Sequence, residues 1–191
     1  FHDLLLEHQN WLMDAIQLES GKARRHAFEE IAETATTARH YARAGESYLR
    51  PKRRLGALPL LTQPVEHHRP KGVVGLVSPW NYPLSLSISD ALPALMAGNA
   101  VVLRPDLQAT LTALRGAELL RRAGLPDGVL EIVVGDGPTT GQAVVEQADY
   151  ISYTGSTATG RAVAVMAAGR LVGASLELGG KNSLYVAADA D

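Results

Sequence analysis

From residue 71 onward the chain alternates between two hydrophobic periods. Short apolar runs at 73–77, 100–103, 129–134, 150–153 and 171–178 read as strands covered on both faces. Between them, 84–96, 107–123, 139–147 and 158–169 carry apolar residues at helical spacing, with Pro93 marking a kink in the first. The run 183–186 reads as one more strand. Strands and helices that alternate through short loops imply a parallel sheet with helices on both faces, a Rossmann-like α/β fold.

The first seventy residues follow another pattern. Residues 3–19 read as a helix with Leu4, Trp11, Ala15 and Leu18 on its apolar face, broken at Ser20-Gly21. A second helix spans 22–44 with Phe28, Ile31, Ala35, Ala38 and Ala42 as its stripe, and Gly45 as its stop. Residues 48–70 then hold Pro51, Pro59, Pro64 and Pro70, four arginines and the apolar piece Leu58-Pro59-Leu60-Leu61. That mixture reads as an extended β arm, whose unpaired edges call for a partner chain. The expected organisation is N-terminal helices over 1–46, the arm over 47–70 and an α/β core over 71–191.

Composition narrows the function classes. The chain of 191 residues has a net charge of −2, with no basic footprint for nucleic acid. No apolar run is long enough to span a bilayer, and the first residues lack a signal-peptide pattern. The six histidines show no metal-ligand spacing, so no metal site is expected. There are no cysteines, which fits a cytoplasmic location and excludes disulfides within these residues.

Candidate chemistry sits in the loops that follow strands. The run 72–77 leads into Ser78-Pro79-Trp80-Asn81-Tyr82-Pro83, a loop stiffened by two proline rings, which equally reads as a structural turn. Gly135, Gly137 and Gly141 open one helix at a spacing close to that of phosphate-binding loops. Thr154-Gly155-Ser156-Thr157 opens another, with hydroxyls that suit either a pyrophosphate or ordinary helix capping. Glu177 closes an apolar strand before Gly179-Gly180, a position suited to a general base.

Taken in order, these segments resemble the NAD(P)-dependent aldehyde dehydrogenase superfamily. The matching pieces are Pro70-x-Gly72-Val73-x-Gly75 with Pro79-Trp80-Asn81-x-Pro83, Ala97-Gly98-Asn99-x-Val101-Val102-x-Arg104-Pro105, and Gly137-x-x-x-Gly141. Thr154-Gly155-Ser156-Thr157-x-x-Gly160, Glu177-Leu178-Gly179-Gly180-Lys181 and Leu18-Glu19-Ser20-Gly21-Lys22 complete the set. Within the superfamily the chain looks most like the succinate-semialdehyde dehydrogenase group. The resemblance implies that Asn81 donates its amide to the oxyanion of a tetrahedral intermediate and that Glu177 activates water or takes a thiol proton. It implies that Trp80, Asn81, Arg104, Leu107, Gly137, Gly141, Gly155, Ser156 and Leu178 line the dinucleotide, with Ser156 at the pyrophosphate. The arm would belong to a homodimer or homotetramer surface, and the substrate would be a small aldehyde.

Two departures from the family pattern carry weight. The family's nucleophile is a cysteine beyond the Glu-Leu-Gly-Gly-Lys motif, and these residues hold none. The expectation is therefore an incomplete chain without its catalytic domain, inactive alone; the alternative is a non-catalytic dinucleotide-binding protein of the same fold. Where the family often has Lys-Pro-Ser-Glu, this chain has Arg104-Pro105-Asp106-Leu107. Losing the carboxylate while keeping a cation favours NADP, with NAD also compatible and Asp106 partly opposed.

Overall fold

The computed structural model describes residues 1–58 and 61–190. Five parallel strands form the central sheet: β3 (Val73–Ser78), β4 (Ala100–Pro105), β5 (Leu130–Ile132), β6 (Tyr150–Thr154) and β7 (Gly173–Glu177). Their order is β5-β4-β3-β6-β7, every neighbouring pair parallel. The chain runs outward from β3 through β4 to β5, then crosses back to lay β6 on the other side of β3. Connections therefore leave β3 and β6 in opposite directions, which opens a crevice beyond their carboxyl ends.

Each face of the sheet has its own core. Val74 and Leu76 of β3 point into a cluster with Leu5, Leu12, Ile16 and Ile31. These come from α1 (His2–Glu7), α2 (Gln9–Ser20) and α3 (Arg24–Leu49), joined by α4 (Asp90–Met96) and α5 (Thr110–Arg122). Val77 points the other way, into a cluster with α6 (Gln142–Gln147) and α7 (Thr157–Gly169). Gly75 shares that second face. A Cβ there would lie 2.8 Å from the Ala148 Cβ and 3.2 Å from the Val144 carbonyl, so α6 sits directly on the β3 backbone.

The expected alternation from 71 onward is present, and several boundaries differ for physical reasons. The first helix is interrupted at His8, whose φ of −98° and ψ of 20° leave the helical range. That break resets the phase. The buried face is Leu5, Leu12, Met13, Ala15 and Ile16, while Leu18 is 78% exposed. Trp11 is partly exposed and lies under the Arg115 guanidinium, 4.7 Å from its ring centre. The second helix does not stop at Gly45 but runs on to Leu49. Gly45 is instead a packing glycine, because a Cβ there would collide with the Met96 thioether. Its buried face is Ala27, Glu30, Ile31, Thr34 and Ala35, and Phe28 is outside it.

Two helices begin with a wide π turn, Ser85–Ser89 before α4 and Gly137–Gly141 before α6. The first precedes Pro93, which cannot donate a hydrogen bond back to Ser89. Residues 183–186 are not a strand. Leu184 and Tyr185 are 88% and 90% exposed, and no neighbouring strand is offered to them among the described residues. In the arm, β1 (Lys52–Arg53) and β2 (Val65–Glu66) form a short antiparallel pair. Pro59 and Leu60 of the arm, and Asp191, lie outside the described residues. Among the described residues, no helix is long and apolar enough to cross a membrane.

The N-terminal helices do more than cover a face. The residue before α5, Ala109, has no side-chain acceptor for the helix start. Glu19 of α2 supplies one: it accepts from Leu111 N (2.6 Å), Thr112 N (2.7 Å) and the Thr112 hydroxyl (2.5 Å). Helix starts leave N–H groups without internal partners, and a carboxylate there also meets the positive end of the helix dipole. Glu19→Ala strands those donors beside the fully buried Thr112. The expected loss is about 1–3 kcal/mol, read as a lower urea midpoint at unchanged m-value.

Candidate functional site

The carboxyl ends of β3, β4, β6 and β7 finish level with one another. Ser78 pairs with Pro105, Val77 with Tyr153 and Thr154 with Glu177. The segments that follow β3, β4, β5 and β6 line a cavity of about 530 Å³. Two helix starts face it. Asp136 caps the turn before α6 by accepting from Thr139 N at 2.8 Å. Ser156 caps α7 by accepting from Thr159 N at 3.2 Å, and its hydroxyl donates to Thr159 Oγ1 at 3.0 Å.

Six of the expected residues meet at this cavity: Trp80, Arg104, Gly137, Gly141, Gly155 and Ser156. The glycines have different reasons. A Cβ on Gly155 would collide with the Tyr153 hydroxyl, which passes beneath the turn. A Cβ on Gly137 would meet nothing within 4 Å, and one on Gly141 only the Asp136 carbonyl at 3.8 Å. At both positions a side chain would take up ligand space rather than protein space. Helix starts with glycines of this kind suit a phosphate-bearing ligand.

The other four expected residues lie outside the cavity lining. Leu107 starts a 3₁₀ turn and is 54% exposed. Leu178 packs onto α7 at Gly160, where a Cβ would collide with it. Asn81 is exposed in the loop after β3, and Glu177 is exposed at the end of β7, two strands away in the sheet. The Glu177 carbonyl accepts from Gly155 N at 3.0 Å, which ties the end of β7 to the α7 turn.

Arg104 is committed to the protein more than its sequence position implies. Its Nε and one terminal nitrogen both donate to the Gly135 carbonyl, at 3.0 and 2.9 Å. Its remaining terminal nitrogen lies 3.9 Å from Asp106 Oδ2. The guanidinium thus staples the loop after β5 to the end of β4. Sequence reasoning overlooked Ser78, which lines the cavity while its buried hydroxyl finds no partner among the described residues. Its one signal in the sequence is its place as the last strand residue before Pro79. Among the described residues, no cluster of His, Asp and Glu could hold a metal ion.

A second group of titratable residues lies beside Glu177. Asp90, the first residue of α4, is pushed from its ordinary 3.8 to about 6. Burial is the main cause, followed by the carboxylates of Glu33 and Glu177.

The model of the aldehyde dehydrogenase family matches residues 1–191. A Mycolicibacterium smegmatis protein with the name "Putative succinate-semialdehyde dehydrogenase (NADP+)" is 52% identical over 186 residues, 97% of this chain and 36% of its own length. "Succinate-semialdehyde dehydrogenase, mitochondrial" of Arabidopsis thaliana is 38% identical over 197 residues, 100% of this chain and 36% of its own length. A crystal structure of an NAD-dependent benzaldehyde dehydrogenase from Corynebacterium glutamicum superposes with a TM-score of 0.86 at 35% identity, over 94% of this chain and 39% of that one. The chain spans about a third of the length of the curated relatives it matches.

The raised Asp90 predicts a pH-dependent stability. The neutral form is favoured in the folded state, so this contribution is complete below about pH 4 and lost as pH rises through about 6. At pH 8 the ionised group works against folding, partly offset by the start of α4 that it occupies. Asp90→Asn should stabilise by about 1–2 kcal/mol at pH 8 after allowance for solvent screening. The gain should shrink toward zero at pH 4, as measured by paired thermal melts.

Proposed function

Because the chain belongs to the aldehyde dehydrogenase family, we propose that its protein oxidises an aldehyde to a carboxylic acid with a nicotinamide dinucleotide. Succinate semialdehyde is the narrower substrate reading, supported by the names of the two curated relatives. The observation that carries the proposal is the arrangement at the sheet's carboxyl edge. Two glycine-bearing helix starts, Trp80 and Arg104 line one cavity there, while Asn81 and Glu177 lie outside its lining, in the loop after β3 and at the end of β7.

The residues fit a dinucleotide. The cavity volume, the missing Cβ atoms at Gly137 and Gly141 and the unpartnered Ser78 hydroxyl all suit a polar, phosphate-bearing ligand. In this reading Trp80, Arg104, Gly155 and Ser156 hold it with those glycines, and Leu107 and Leu178 flank it. The bound nicotinamide supplies the hydride acceptor. Asn81 donates its amide to the oxygen that gains charge when the carbonyl carbon becomes tetrahedral. Glu177 takes a proton from the attacking water. These residues contain no cysteine, so the thiol of the reaction would come from sequence outside them.

NADP is the preferred dinucleotide in this reading. Leu107 offers no carboxylate to repel a 2′-phosphate, and one relative carries NADP in its name. Arg104 contributes its charge, although two of its nitrogens serve Gly135. A small aldehyde as substrate, a cytoplasmic location and a homodimer or homotetramer built through the arm belong to the same proposal. The exposed Leu55, Leu58 and Leu61 of the arm support the last of these.

In the intact protein, Glu177→Gln should slow aldehyde-dependent NADPH formation by about 10²–10⁴-fold. Dinucleotide affinity, followed by tryptophan fluorescence, should hardly change; unaltered turnover would remove the role given to Glu177. Leu107→Glu tests the cofactor reading. It should raise the KM for NADP+ by about tenfold or more, one to two kcal/mol of like-charge repulsion, with little effect on NAD+. Equal effects on both would sink the preference.

A further inference from the structure

The motif Leu18-Glu19-Ser20-Gly21-Lys22 has one part with no function yet. Gly21 ends α2 with a φ of +69°, and the Gln17 side chain donates to the Lys22 carbonyl at 3.2 Å. The left-handed turn aims Lys22 back across the start of α3. Its ammonium lies 2.9 Å from Glu30 Oε2, and the Glu30 side chain is fully buried. The same ammonium stands 3.6 Å from the centre of the Tyr82 ring. The other Glu30 oxygen accepts from Leu84 N at 2.6 Å and from Ser85 N at 3.0 Å. One ion pair thus grips the chain on both sides of Pro83, immediately after Asn81.

We infer that Lys22 and Glu30 are positioning residues that hold the Asn81 loop in its working geometry. The inference rests on the oxyanion role proposed for Asn81. Asn81 is exposed and its loop rides at the rim of the sheet, so the loop needs an anchor from below. Glu30 is that anchor: a carboxylate buried with a cation and two backbone donors is held in one place. Lys22 closes the clamp from above through the aromatic face of Tyr82, the residue next to Asn81. Neither side chain reaches the cavity beyond β3 and β6, so the dinucleotide should be indifferent to them.

The test uses the intact protein and the variants Lys22→Met, Lys22→Arg and Tyr82→Leu. Tyr82 is half exposed, so Tyr82→Leu opens the clamp without stranding the charge of Glu30. Hydrogen exchange of residues 79–86 should speed up by about tenfold or more in Lys22→Met and Tyr82→Leu, while the α5 start at 110–113 stays protected. The kcat for aldehyde oxidation should fall by about 10–100-fold with unchanged dinucleotide affinity, and Lys22→Arg should recover most of it. Combined with Asn81→Ala, Lys22→Met should add little further loss, since both act through one group. Unchanged exchange at 79–86, or losses that multiply in the double variant, would overturn the inference. Failure of the functional reading looks different: Asn81→Ala would then oxidise aldehyde as fast as the parent, and the exchange result would stand on its own.

Discussion

Glu19 and Glu30 settle a problem that every helix start poses. The first N–H groups of a helix have no partner within it, and near a core they cannot turn to water. On one face of this sheet, Asp106 caps the 3₁₀ turn before α5, but Leu84 and Ala109 offer no side-chain acceptor of their own. Carboxylates from α2 and α3 reach across and accept those N–H groups. The N-terminal helices are therefore part of the sheet's carboxyl edge. Their buried apolar side chains join the same core as β3 and β4, and their acids hold the start of the π turn before α4 and the start of α5.

The other face solves the same problem locally, with a different consequence. Asp136 and Ser156 are supplied by the very loops that precede α6 and α7. No side chain from elsewhere needs to cover those starts, so the space in front of them stays open. The cavity of about 530 Å³ lies over these two starts. This arrangement also removes the opposition between capping and ligand binding at Ser156. Its cap uses an oxygen lone pair to accept from Thr159 N, and Ser156 still lines the cavity.

The sequence is legible where one local rule decides. The strand and helix alternation of 73–169 follows from apolar periods alone, and the resemblance of the loops brought six of the site residues to one cavity. Legibility ended where distant groups intervene. Nothing local marks the break at His8, which turned Leu18 outward and Leu12 inward. Gly45 reads as a stop, yet it is a gap left for Met96 from another helix. Residues 183–186 have strand composition, but a strand also needs a partner edge. Lys22 and Glu30 were invisible as a pair, because their common target lies more than fifty residues downstream.

Arg104 illustrates how a charge can be legible while its use is not. A cation at the end of β4 reads as a phosphate ligand, since guanidinium suits phosphate oxygens. In the fold its Nε and one terminal nitrogen close on the Gly135 carbonyl, which keeps the loop after β5 against β4. What remains for a ligand is one terminal nitrogen facing Asp106 across 3.9 Å. A carboxylate at that distance draws on the same nitrogen and weakens the local positive field. The 2′-phosphate argument thus leans less on attraction by Arg104 than on the absence of a second carboxylate at Leu107. In the proposed reading, cofactor choice at this edge turns on what repels: Leu107 brings no charge, while Asp106 beside it keeps one.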